Sequence, residues 1–472
     1  MTPPPAVPAA LHPLVAAFLD DRAAVRAALH RFGSPLHLVF PQVFTANLAA
    51  LRGVLDGAAT RYRICYAHKV NRSAAFAGTA ATAGIAVDVA SAQELMSAQT
   101  AGFPADRIEV TGPKGAAMLR TALAAGVTIN VDNLWELETL AGLVDAGTTV
   151  PVLLRISGFP GSSPSRFGID LGAAEAAFDL LTRHRDRLRL LGFAFHLDTA
   201  ATAERVQAVA ACLELVERAY GHDLAPTVLD IGGGLRQVFT ADATGYDAYD
   251  HALRAGLLGQ GRALHWGSNT FGYQVADGAV HGGPVFHKYA NTESAADILA
   301  DLLGAPLPGH GGRALGRVLA DNLLELWLEP GKALVDQAGI TLAQVEFVKR
   351  AGTGATLVHL DLSRDTVTAA DQEVLIDPIV LAEPAVSAAV GVYFAGHLCL
   401  ERDLITQRQV RVAGVPAPGD PVVFANTAAY HMDLSAARAS MHPEPAKVAV
   451  RYRDGEFDLC PDADYRPGAQ VR

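Results

Sequence analysis

Cysteine is scarce in this chain: four in 472 residues (Cys65, Cys212, Cys399 and Cys460), with no paired spacing. That excludes a disulfide framework. No Cys or His cluster at short intervals offers a metal site either, so none is expected. Positive charge is also in deficit. Lys and Arg number 38 against 49 Asp and Glu, a formal net charge of -11. Phosphate contact requires a basic face, so nucleic acid is not an expected partner. No apolar run is long enough to span a bilayer. Met1 to Pro8 is proline-rich and lacks the basic start of a secretory signal. No run of like charges marks a tail, and no internal repeat is visible. The expectation is a cytoplasmic globular protein without a membrane partner.

What is present is apolar and punctuated: 50% hydrophobic and 18% charged residues, with 44 Gly and 26 Pro. That suffices for a large core, roughly two or three domains. Apolar runs at Arg63–Ala67, Ile85–Val89, Arg107–Thr111, Thr128–Val131, Val150–Ile156, Leu190–His196, Thr227–Ile231 and Leu324–Glu329 read as strands. Alanine-rich helical stretches separate most of them, and the runs lack the polar alternation of a half-exposed sheet. The spacing predicts a parallel (β/α)8 TIM barrel over residues 41–335. Residues 241–317 are long and irregular and are expected to be an insertion over its mouth. Residues 336–472 are strand-rich, with Pro and Gly between strands, as in a C-terminal antiparallel β domain of barrel or sandwich type. The N-terminal segment, residues 1–40, is expected to join that domain in part through Leu36–Val39.

Four strand ends carry chemistry. Lys69 follows the run Ile64-Cys65-Tyr66, where such folds place reactive groups. An amine in apolar surroundings loses its proton more easily and becomes a nucleophile able to form a Schiff base; on the segment alone, a lysine snorkelling into solvent is the commoner case. Gly232, Gly233 and Gly234 follow a strand and can present amides to an anion, or simply make a tight turn. His196 ends the sixth strand and Glu329 the last, followed by Pro330, Gly331 and Lys332. An amine, a phosphate cradle, an imidazole and a carboxylate are together what pyridoxal 5'-phosphate requires.

Over nearly its whole length the chain resembles the alanine-racemase-like, barrel-type pyridoxal-phosphate decarboxylases, the family of diaminopimelate, ornithine and arginine decarboxylases. Tyr66 to Asn71 is similar to the family's Tyr-Ala-Val-Lys-Ala-Asn, which implies the Schiff base on Lys69. Val87-Asp88-Val89-Ala90-Ser91, with Glu94 following, resembles Phe-Asp-x-x-Ser and implies Asp88 near the cofactor. Arg155 and Ser165-Arg166-Phe167-Gly168 resemble the stretch bearing Ser-Lys-Phe-Gly. His196-Leu197-Asp198-Thr199 is similar to His-Val-Gly-Ser, so His196 is expected against the pyridine ring and Thr199 by the phosphate. Gly232 to Gly234 and Glu329 match the phosphate glycines and the pyridine-nitrogen acid. Cys399-Leu400-Glu401-Arg402-Asp403 resembles Cys-acidic-x-x-Asp, which implies that Cys399 of a partner subunit protonates the carbanion and that Leu400 and Asp403 lie by the substrate. Tyr430 resembles the family's cofactor-contacting tyrosine.

The departures bear on the substrate. Leu400 stands where the family has an acidic residue that grips the distal amine, Asp198-Thr199 stands for Gly-Ser, and Lys332 for an arginine. The resemblance implies a decarboxylase acting on an amino acid or amino-acid derivative, working as a homodimer with shared sites. A racemase, or a non-catalytic pyridoxal-phosphate-binding paralogue, remains the alternative.

Overall fold

A computed structural model describes residues 3–58, 61–145, 147–199, 201–240, 242–285, 290–368, 374–382, 388–435 and 438–468. Ala241 and residues 286–289 of the expected insertion lie outside them. The chain divides into two compact units. One comprises Thr45–Arg236, Ser294–Leu334 and a short segment from Arg466; the other comprises the N-terminal residues to Phe44, Gln237–Glu293 and Val335–Tyr465.

The first unit is a closed barrel of eight parallel strands: Tyr62–Ala67, Ala86–Val89, Ile108–Val110, Thr128–Val131, Val150–Ser157, Leu188–Ala194, Val228–Asp230 and Glu325–Leu328. Each pairs with the next, and the last returns to the first through Leu326 opposite Tyr62 and Leu328 opposite Ile64. The strands are buried on both faces, which is why they read as apolar runs. Inside, Cys65, Ala86, Leu153, Ala194, Val228 and Trp327 form an apolar layer. Truncating Leu153 to alanine there would cost about 2–5 kcal/mol. Helices on the outside start at side-chain caps: Ser73 before Ala74–Thr82, Ser91 before Ala92–Thr100, and Asn133 before Leu134–Leu143. The last crossover within this unit carries helices Ala295–Gly304 and Leu315–Asp321.

The second unit is built on a nine-stranded sheet. Its central strand, Gly339–Arg350, pairs with Leu36–Val39, Thr356–Leu360 and Pro421–Phe424, all antiparallel. Two pairings run parallel, Leu36–Val39 with Ala446–Arg453 and Thr356–Leu360 with Val390–Ala395. The sheet is therefore mixed where the Pro and Gly punctuation predicts a wholly antiparallel one. Residues 237–293 belong to this unit through an aromatic cluster. Tyr246, Tyr249 and Leu253 of helix Ala243–Leu257 pack with Phe271, Tyr273 and Val7. Among the described residues no helix is long and apolar enough to cross a membrane.

Candidate active site

The barrel candidates gather at the carboxyl ends of their strands. Lys69 lies in the 3-10 turn His68–Val70, directly after the first strand. His68, buried, ties that turn down: its Nε2 lies 2.8 Å from Ser97 Oγ and its Nδ1 3.3 Å from the Asn71 carbonyl oxygen. The Tyr66 hydroxyl donates to the same carbonyl at 3.3 Å. A braced turn thus carries Lys69, whose side chain is 42% exposed. Its Nζ is 4.0 Å from Asp88 Oδ2, and Asp88 Oδ1 accepts from Thr111 Oγ1 at 2.6 Å. Glu94 caps its own helix by accepting from the Ala90 amide at 2.7 Å.

His196 follows the sixth strand, and its Nδ1 accepts from the Gly233 amide at 3.3 Å. Burial, then the positive charges of Lys69 and Arg155, push its pKa down to about 3, so the ring is neutral. The glycine triplet follows the seventh strand. Gly232 and Gly234 have φ of +66° and +78°, and a Cβ on either would collide with the carbonyl of Phe195 or Leu197. At Gly233 a Cβ would come within 2.5 Å of the Glu329 carbonyl oxygen. Only glycine lets this loop lie flat against both neighbouring strand ends. Asp230 Oδ1 accepts from the Gly232 amide at 2.7 Å, and the Glu329 amide donates to the Gly232 carbonyl at 3.0 Å.

Barrel closure brings acids together. Oxygens of Glu109, Asp230 and Glu329 all lie within 4.8 Å of one another, and all three residues are buried. Two full charges at that separation repel by about 3–4 kcal/mol at an effective dielectric of about 20. Burial, then Asp230 and Asp88, push Glu329 well above the usual carboxylate range, while Lys69 and Arg155 pull it back. Burial raises Asp230 to about 7.

Arg155 ends the fifth strand 3.7 Å from Asp132 Oδ1, which also accepts from the Gly168 amide at 3.1 Å. Arg155 and Arg166 cover the Phe167 ring at 4.5 Å and 3.9 Å, clamping residues 165–168. Lys332 Nζ is 3.0 Å from Asp198 Oδ1. Burial alone would raise the Asp198 carboxyl, but Lys332 and Arg205 outweigh it and hold the group low. Thr199 Oγ1 accepts from the Ala201 amide at 3.0 Å.

Cys399, Leu400, Asp403 and Tyr430 belong to the second unit. Cys399 is exposed and Leu400 is 48% exposed. Asp403 is buried, and its carboxylate accepts from the Arg364 and Leu398 amides, both at 2.7 Å. It fastens the loop that carries the other two. Tyr430 holds a left-handed backbone, φ +68°, uncommon for a bulky side chain.

Three residues escape a reading of the sequence: His68, Glu109 and Asn130. Glu109 carries the only usable signal, an acid between Ile108 and Val110 in a strand otherwise apolar.

A family model described as the pyridoxal-binding domain of pyridoxal-dependent decarboxylases matches residues 45–257. An uncharacterised protein of Sinorhizobium fredii is 35% identical over 443 residues, covering 92% of this chain and 91% of that protein. A diaminopimelate decarboxylase of Deinococcus radiodurans is 26% identical over 441 residues, 91% of this chain and 93% of the relative. Among solved structures, diaminopimelate decarboxylase from M. jannaschii in co-complex with L-lysine superposes with a TM-score of 0.69 at 19% identity, covering 92% of this chain and 91% of that one. Lysine/ornithine decarboxylase from Vibrio vulnificus complexed with putrescine gives 0.66 at 20% identity, covering 91% and 98%.

Proposed function

We propose that this chain, which belongs to the pyridoxal-dependent decarboxylase family, removes the α-carboxylate of an amino acid or amino-acid derivative. Pyridoxal 5'-phosphate is the cofactor. Lys69, Asp88, His196, Gly232 to Gly234 and Glu329 meeting at one end of the barrel is the observation that carries the reading. The residues fit the group. Glycine at 232–234 leaves no Cβ to hold a phosphate off the backbone, although the Gly232 and Gly233 amides are given to Asp230 and His196; an amine and a buried carboxyl supply the chemistry that the aldehyde and the ring nitrogen require.

When bound, the cofactor's conjugated ring supplies the sink for the electron pair left by the departing carboxylate. Lys69 would hold the cofactor's aldehyde through its amine, with Asp88 4.0 Å away as its counter-charge. His196, neutral, would lend the ring a stacking face without adding charge. Glu329, whose burial strengthens its hold on a proton, keeps one at the pyridine nitrogen. The glycine loop 232–234 with Thr199 and Lys332 would hold the phosphate, and Arg155 would line the cofactor.

The partner's Cys399 delivers a proton to Cα, so the working unit is a homodimer with shared sites. Leu400, apolar and half exposed, supports a substrate whose distal end carries no free ammonium at the usual place. A panel of amino acids and N-acylated or carboxylated derivatives, assayed for carbon dioxide release with chiral analysis of recovered substrate, tests both points. Racemised substrate without carbon dioxide would move the chain to the racemases, and lysine, ornithine and diaminopimelate as best substrates would overturn the reading of Leu400. A non-catalytic role has Leu400 and Asp198 in its favour; a panel in which no amine alters the cofactor's absorbance would establish it.

A further inference from the structure

Glu109 has no part in the chemistry above, yet it is 2% exposed at the centre of the barrel. Its Oε1 accepts from Asn130 Nδ2 at 3.0 Å, and Asn130 is also 2% exposed. Each group keeps one orphan: Glu109 Oε2 and Asn130 Oδ1 both lack a hydrogen-bond partner among the described residues. Both are acceptors, so no arrangement of a carboxylate against a primary amide can satisfy them together. A proton on Glu109 Oε2 can. An acid and an amide facing each other close a two-bond ring, with O–H to the amide oxygen and N–H to the acid oxygen. That one proton removes two buried unsatisfied atoms and a buried charge.

The groups facing Glu109 favour the same state. Burial first, then Asp230, Glu329 and Asp88, all acidic, act against a negative charge there and outweigh the Asn130 hydrogen bond; Glu109, Asp230 and Glu329 act in turn on the buried Cys65 thiol. Lys69 and Arg155, the cations of the site, act on Glu329. Asp88 lies opposite Glu109 in strand register and shares its charge with Lys69.

We propose that Glu109 is a neutral carboxylic acid paired through two hydrogen bonds with the Asn130 amide, and that this pairing lets Glu329 serve as the site's carboxylate. Were Glu109 ionised, Glu329 within 4.8 Å would be driven to take the proton itself. Glu109 is then a positioning residue. The pairing does not depend on the cofactor; its consequence for Glu329 rests on the function proposed above.

The test is infrared spectroscopy of the cofactor-free protein at neutral pH, in water and deuterium oxide, comparing wild type with Glu109→Gln and Asn130→Leu. Glutamine keeps the shape and the two-bond pairing without a titratable proton. Loss of one protonated-carboxyl band in Glu109→Gln, and a shift of that band in Asn130→Leu, is the expected result. Loss of a carboxylate band in Glu109→Gln would overturn the proposal. So would an unchanged acid band in Asn130→Leu, a reading that stands alone if the glutamine variant does not fold. Thermal unfolding of the cofactor-free protein gives a second readout. A carboxyl raised by folding contributes stability present at low pH and lost as pH rises through its folded value, so Glu109→Gln should lose less stability than wild type toward alkaline pH. An identical pH dependence would contradict the neutral acid. A protein that stays colourless with pyridoxal phosphate but shows the expected bands would refute the function and leave the pairing standing.

Discussion

The barrel end and the Cys399 loop hold their functional candidates in opposite ways. At the barrel end His196 is bonded to the glycine loop, Asp88 to Thr111, and Lys69 rides on a turn that His68 bolts to helix Ala92–Thr100. On the loop, Asp403 fastens the backbone, while Cys399 and Leu400 face outward. The groups assigned to the cofactor are thus fixed by strands and buried bonds. The groups assigned to proton delivery and substrate recognition sit on an exposed segment whose side chains can change without disturbing a fold. The departures from the family fall where this predicts: Leu400 on the loop, and Asp198 and Lys332 at the exposed rim, where they pair with each other.

That contrast can be broken in several ways. The largest effect is expected at Lys69→Ala, which should abolish both carbon dioxide release and covalent retention of the cofactor while the fold persists, as far-ultraviolet circular dichroism would record. Glu329→Gln should slow carbon dioxide release by about 10²–10³-fold with substrate binding little altered, measured as kcat against KM. On the loop the two functions should separate. Cys399→Ala is expected to lower kcat by about 10²-fold at unchanged stability. Asp403→Ala leaves two part-buried amides without their acceptor and should destabilise the protein by about 1–3 kcal/mol in denaturant titration. If Cys399→Ala destabilised as much, the division of labour on this loop would be wrong.

Acidification sharpens the comparison further. Because His196 stays neutral to about 3 in the folded protein against an ordinary 6.5, the unfolded chain takes up a proton that the folded one refuses. Its contribution therefore favours the fold above that window and is lost as pH falls through it. His196→Asn should flatten this part of the stability profile in pH-jump unfolding. The smallest effect is expected at Asp198→Asn, since an ion pair with one partner 73% exposed contributes within about 1 kcal/mol; cofactor titration should show a modest change in Kd.

Much of the barrel was legible because parallel strands buried on both faces must be apolar runs, and strand ends are where Lys69, His196, Gly232 and Glu329 could be sought. Other elements left weaker signals. Strand Glu456–Pro461 carries Glu456, Asp458 and Pro461 among its six residues and lies at an edge of the sheet. Phe457 and Leu459 alternate with Glu456 and Asp458, a strand signal only four residues long before Cys460 and Pro461 break it. Residues 241–317 read as an insertion of the barrel because sequence order places them between its last two strands; the aromatic packing of Tyr246, Tyr249 and Phe271 assigns the part up to Glu293 to the other unit, while Ser294 onward stays with the barrel. That three acids meet in one layer could not be read. Glu109, Asp230 and Glu329 are separated by more than ninety residues at each step, and only ring closure makes them neighbours.

The central claim is that one amine, Lys69, holds the cofactor. Reducing the pyridoxal-phosphate-loaded protein with borohydride and mapping the labelled peptide tests it most directly. A single pyridoxyl label on Lys69, absent from Lys69→Ala, is the predicted result; label on another lysine, or none, would contradict it.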